Sequence, residues 1–166
     1  LAASLGNLGT IAQMRGDLET AAGYYAEAIE ISREAGDEDG SAVNLHNLGR
    51  TELALGRSAQ GLDALRGSLA LARRLGYREV IAYCLGGFAE VAMLEENALR
   101  AATLLGACEQ LFSEIGAIPS PDEVEAQQRV TEYIVEAFGP ERAEELRAEG
   151  AASSLDDVLE DVASRT

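Results

Sequence analysis

The chain has no lysine and no tryptophan, a single histidine and only two cysteines in 166 residues. Each scarcity excludes something. A G-x-x-x-x-G-K phosphate loop needs a lysine, so none exists. His46 alone cannot complete a metal set with Cys84 and Cys108, whose spacing is not that of metal ligands. A Cys/His nucleophile would rest on one unsupported imidazole, and no G-x-S-x-G elbow is present. Proline occurs only as Pro119, Pro121 and Pro140, so nothing in residues 1–118 forbids long helices. Aromatics are 5% of the chain and much of its apolar content is alanine, which points to close-packed helices rather than a sheet sandwich. There is no apolar run of about 18 residues to span a bilayer and no secretory pattern. The two cysteines read as reduced, small buried residues of a cytoplasmic protein. Carboxylate pairs such as Glu95-Glu96, Glu144-Glu145 and Asp156-Asp157 are too common in this chain to single out acid–base chemistry. No enzyme and no cofactor are implied.

Charge is the next constraint. All 13 basic residues are arginine, against 29 acids, for a net charge of −16. Residues 121–166 hold 13 acids and four arginines, net −9; residues 1–120 hold 16 acids and nine arginines, net −7. Such a field repels phosphate backbones and anionic lipid, which sets nucleic acid and membrane surfaces aside as partners. The chain opens at Leu1 already in helical phase and reads as a piece of a longer polypeptide.

What the sequence does have is a period. Gly36, Gly76 and Gly116 stand forty residues apart. Leu8-Gly9, in N-L-G, returns as Leu48-Gly49 and then as Phe88-Ala89. A fixed period of this size predicts an all-α solenoid of helical hairpins. The apolar spacing of Leu5, Leu8, Ile11 and Ala12 predicts a first helix over about 3–15, broken at Gly16-Asp17. A second runs to about Glu34 and ends at Gly36 as a left-handed cap. The hairpins span about 3–35, 41–75 and 78–115, with inner turns at Gly56 and at Glu96-Asn97. Nine small residues recur at their crossings: Gly9, Ala21 and Ala28; Gly49, Gly61 and Ser68; Ala89, Ala101 and Cys108. A larger side chain at any of them would push two helix axes apart.

Residues 119–166 break the period. Ser120-Pro121-Asp122-Glu123 is a helix start, with Ser as N-cap and Pro at the first position. Helices are predicted over about 121–138, 140–149 and 155–163, the last with Leu155, Val158, Leu159 and Val162 on one face. They read as a cap over the open face of the third hairpin.

The pattern L-x2-L-G, then A-x3-Y and a small residue three later, resembles the tetratricopeptide repeat. It is carried by Leu5, Leu8, Gly9, Ala21, Tyr25 and Ala28 in the first unit. Leu45, Leu48, Gly49, Gly61, Leu65 and Ser68 carry it in the second, and Leu85, Phe88, Ala89, Ala101, Leu105 and Cys108 in the third. Its departures are a period of forty against about 34, Ala12, Glu52 and Ala92 at the aromatic position, and Arg33, Arg73 and Ser113 at the terminal proline. HEAT-like pairs have a similar length but do not predict the L-G doublet. The resemblance implies a right-handed α-α superhelix. The long period, and the run from Leu99 through F-G-P-E-R-A-E-E-L to S-L-D-D-V-L, resemble the C-terminal ends of multidomain bacterial regulators of the MalT and LuxR type. That implies a protein-docking module of a transcriptional regulator, bound to a peptide, a protein partner or other domains of its parent chain. The alternative is a structural spacer or a homodimer scaffold with no ligand of its own.

In a tetratricopeptide solenoid the first helices line a groove. By that register it would display Asn7, Thr10 and Gln13 from the first unit, His46, Asn47 and Arg50 from the second, and Tyr83 and Glu90 from the third. Asn7 and Asn47 are equivalent, and an amide offers the donor and acceptor that an extended backbone needs. Arg50 could fork onto a ligand carboxylate or pair with Glu90. A single groove cation does not suit a ligand held by two carboxylates.

Overall fold

The computed structural model describes residues 1–164, and among them lie nine helices and no strand. In order they are α1 (Ala2–Met14), α2 (Leu18–Ala35), α3 (Glu38–Ala54), α4 (Ser58–Leu75), α5 (Arg78–Leu94), α6 (Ala98–Ile115), α7 (Pro121–Phe138), α8 (Pro140–Ala152) and α9 (Leu155–Ser164). The all-α repeat expected from the period is what the chain forms.

The turns explain the period. Backbone φ is positive at Gly16 (78°), Gly36 (67°), Gly56 (76°), Gly76 (67°), Glu96 (57°) and Gly116 (65°). The left-handed turns therefore fall every twenty residues, and forty is two helices with their turns. Gly36, Gly76 and Gly116 close their helices with paired bonds to the last carbonyls. At the first of them Gly36 N–H donates to Arg33 O at 3.2 Å and Asp37 N–H to Ser32 O at 2.8 Å. The Asp37 side chain then accepts from Gly40 N–H at 2.9 Å. This cap starts α3 at Glu38, ahead of the Ser41 that periodicity alone suggests. Ser120 does hold the N-cap position of α7, with Pro121 following, but its side chain makes no capping bond.

The chain divides into two compact units, Leu1–Cys84 and Leu85–Thr166, so that the division falls within α5. All nine small positions are buried.

In Leu1–Cys84, Ala21, Tyr25, Ala28, Ile29 and Leu65 form the centre of the packing. A Cβ at Gly9 would lie 2.6 Å from the Tyr25 ring, so the glycine makes room for that ring. In the second hairpin the backbones themselves meet. A Cβ at Gly49 would lie 3.0 Å from the Gly61 carbonyl oxygen, and one at Gly61 2.9 Å from that of Gly49. Leu48 packs against both apolar clusters of this unit, one around Ala21 and Tyr25, the other around Ile29 and Leu45. Ser68 replaces a methyl at no cost in unmet polarity: its hydroxyl donates to Ala42 O at 2.7 Å and accepts from the Cys84 thiol at 3.3 Å.

In Leu85–Thr166, α6 is the central helix, burying Ala101, Leu104, Leu105, Cys108 and Leu111, and α7, α8 and α9 all pack on it. Its tightest neighbour is α8. A Cβ at Gly106 would run into the Arg147 carbonyl oxygen and come within 2.9 Å of Ala151 N, and one at Gly150 would lie 2.7 Å from Thr103 Cα. Gly150 is therefore a crossing point and not a stop, which corrects the expected end of this helix near Glu149; α8 continues to Ala152. The last helix buries Val158, Leu159 and Val162, the face its sequence pattern predicts. Glu123 is fully buried, seated against Gly86 and accepting from Gln127 Nε2 at 3.0 Å. Burial pushes the Glu109 carboxyl above its usual range, and Arg147 at 3.5 Å pulls it back in part.

Candidate partner-binding face

Seven of the eight residues predicted to line a groove lie in Leu1–Cys84, on the first helices of their hairpins. Glu90 belongs to the other unit, where its carboxylate takes Arg129 at 3.1 Å.

The seven divide by what their side chains already do. Thr10 and Gln13 are committed to the fold. Thr10 Oγ1 donates to Gly6 O at 3.2 Å and lies 3.2 Å from Tyr25 Oη. Tyr25 O–H donates to Gln13 Oε1 at 3.0 Å, and Thr51 O–H donates to the same oxygen at 3.3 Å. Together these bonds fix the Tyr25 phenol, whose ring is 1% exposed. They also join α1 to α3 through Gln13 and Thr51. Gln13 is thus a strut between hairpins.

His46 is buried, at 7% exposure, rather than displayed, and its ring is tilted at 46° to that of Tyr83 with centroids 5.3 Å apart. The expectation of a displayed imidazole is corrected by that half-buried phenol, which covers it. Arg50 is half-buried.

Asn7 and Asn47 behave differently. Asn7 is exposed and Asn47 half-buried, each immediately before its Leu-Gly doublet. Neither side-chain amide makes a hydrogen bond to a described residue, whereas Asn44, one turn earlier on α3, donates to Gly40 O at 2.8 Å. Two equivalent amides with their donors and acceptors unspent are the chemistry that main-chain N–H and C=O groups pair with. Sequence reasoning found them through the repeated N-L-G. It could not separate them from Thr10 and Gln13, because the tie to Tyr25 depends on where α2 lies.

Nothing in this face suggests catalysis. Among the described residues no three His, Cys, Asp or Glu side chains group to hold a metal ion. Two surface clefts of about 420 Å³, one over α6 and α9 and one over α2, α3 and α4, contain none of the eight residues. No helix of the described residues is long and apolar enough to cross a membrane.

The hairpin geometry, the L-G doublets and the small crossings can now be set beside known proteins. Residues 1–74 match the family model of the tetratricopeptide repeat. The match covers the first two hairpins almost to the end of α4. No curated protein matches the chain. Tetratricopeptide repeats generally mediate protein–protein interaction and are not catalytic. Ala12, where the repeat has an aromatic, is buried with Ala21 and Tyr25.

Proposed function

We propose that this chain is the partner-docking module of a larger bacterial regulatory protein, and that it holds an extended peptide segment along its first helices. The observation that carries the reading is the pair of unspent amides, Asn7 and Asn47, repeated at the same place on α1 and α3. Bonds to main-chain groups confer affinity without demanding a sequence. The regulatory parentage rests on the resemblance of residues 99–166 to the ends of MalT- and LuxR-type regulators, with the output belonging to other domains of the parent. A cytoplasmic setting fits Cys84 and Cys108, which are buried and not joined in a disulfide.

The test is peptide selection from a displayed library against the whole chain, followed by titration of the best peptide into Asn7→Ala/Asn47→Ala. The double variant should bind at least about tenfold more weakly, the loss of one to two hydrogen bonds. Its unfolding midpoint should not move, because neither amide bonds within the fold. Unchanged affinity removes the groove reading.

A further inference from the structure

The junction that carries α2 into α3 differs in kind from the one that carries α4 into α5. Ser32, Asp37, Glu38, Gly40 and Ser41 stand at the first. Forty residues along, the same places hold Ala72, Tyr77, Arg78, Val80 and Ile81. Ala72 is fully buried, Val80 and Ile81 are 5% exposed and Tyr77 is half-buried, so the later junction is filled by apolar side chains. The earlier one is left open as a cleft of about 420 Å³. Both lie within Leu1–Cys84.

The cleft combines an apolar wall with unspent acceptors. Leu45 and Leu71, which pack with Ile29 and Ala64, form the wall. Ser32 lines the cleft and is fully buried, yet its hydroxyl has no hydrogen-bond partner among the described residues. A buried hydroxyl left in that state destabilises the fold, and the alanine of the next repeat avoids the cost. Asp37 stands beside it. Its Oδ1 caps α3 by accepting from Gly40 N–H at 2.9 Å, while Oδ2 makes no such bond. A Cβ at Gly40 would run into Asp37 Oδ2 and lie 2.9 Å from Ser32 Oγ, so the glycine keeps open a spot that both oxygens flank. The cations nearby are already matched: Arg33 pairs with Glu30 at 2.8 Å and Arg74 with Glu38 at 2.7 Å. The charge without a counterpart at the cleft is the Asp37 carboxylate.

We propose that this cleft binds a small organic cation, a primary ammonium on a short aliphatic chain. The ammonium donates to Ser32 Oγ and Asp37 Oδ2, and the chain lies against Leu45 and Leu71. An ammonium carries only donors, which suits a pair of unpaired acceptor oxygens. The site is separate from Asn7 and Asn47 and does not depend on them.

The probe is n-pentylamine, titrated into the whole chain and followed by the amide signals of residues 32–41. They should shift saturably with a Kd of about 1 mM, the scale for a ligand of so few atoms. 1-Pentanol should bind about fivefold more weakly, and pentanoate not at all. Ser32→Ala should weaken pentylamine about tenfold. The same variant should raise the unfolding midpoint of the free chain by about 2 °C or more, because it removes the orphaned hydroxyl. Asp37→Asn, which keeps the N-cap, should weaken pentylamine about fivefold. The absence of a saturable shift overturns the proposal. So does pentanol or pentanoate binding as tightly as pentylamine: the first makes the cleft an apolar one only, and the second assigns it to Arg33 and Arg74. An affinity that both variants leave unchanged overturns it too. A Ser32→Ala chain no more stable than its parent does the same, since the hydroxyl is then held by a bound water.

Discussion

Two junctions in this molecule solve the same problem differently. Where α2 meets α3, side chains do the joining: Leu48 enters between two clusters, Gln13 takes the Thr51 hydroxyl, and Arg57 reaches back to Glu19. Where α6 meets α8, Gly106 and Gly150 bring backbone against backbone, with the Arg147–Glu109 pair beside the crossing. The apolar part of the first kind can be repeated, since Leu8 and Leu48, and Ala21 and Gly61, recur at a fixed spacing, while the polar pairs Gln13–Thr51 and Arg57–Glu19 occur once. The second cannot, because Gly106 and Gly150 are not equivalent residues of any repeat. It takes the flank of α6 out of service. The difference teaches where a repeat can go on and where it ends: a joint made of periodic side chains invites another unit, and one made of two unmatched glycines closes the series.

The strongest way to break this contrast is Gly106→Ala. At an exposed helix position the change would add up to about 1 kcal/mol of stability. Here the new methyl meets the Arg147 carbonyl, and a loss of about 3 kcal/mol is expected, read by chemical denaturation. A gain would mean that α6 and α8 do not cross at this point. Next in size is Ala28→Leu, at a fully buried crossing of the first hairpin. Overpacking there should cost about 1–3 kcal/mol and lower the midpoint sharply; an unmoved midpoint would sink the contact. Following each variant with a probe in each unit sharpens the comparison, because Gly106 lies in Leu85–Thr166 and Ala28 in Leu1–Cys84. The smallest effect is a gain. Glu96 holds a left-handed backbone at the place where the first two hairpins use Gly16 and Gly56. Glu96→Gly should stabilise by about 1 kcal/mol; a loss would show that the Glu96 side chain is needed at that turn.

The hairpins were legible because their determinants are local. A glycine at a left-handed turn, an Asp or Asn cap and an apolar stripe each act within a few residues, and the repeat states each of them more than once. The nine small positions were legible for the same reason, and all of them are buried. The misreadings share a non-local cause. Gly150 looks like a helix end until Thr103 is placed beside it. His46 looks like a groove residue until Tyr83 covers it. Gln13 and Asn7 are both amides on α1, and only the Tyr25 hydroxyl, brought in by α2, separates the one that braces the fold from the one with spare bonds. Periodicity places a residue on a face, but it does not say which neighbour has already claimed its hydrogen bonds.

The left-handed turns at twenty-residue intervals carry a consequence for how the chain acquires its structure. Between Gly16 and Gly116 each helix can find its sequence neighbour by closing one short turn, so the entropy of closure is small and nearly the same at every step. Low contact order of this kind goes with fast folding. The crossing of Gly106 with Gly150 breaks the rhythm, since those residues lie forty-four apart and α7 intervenes. Seating α8 and α9 on α6 closes longer loops, up to the separation of Arg100 from Asp161, and so costs more closure entropy than any single turn between helices.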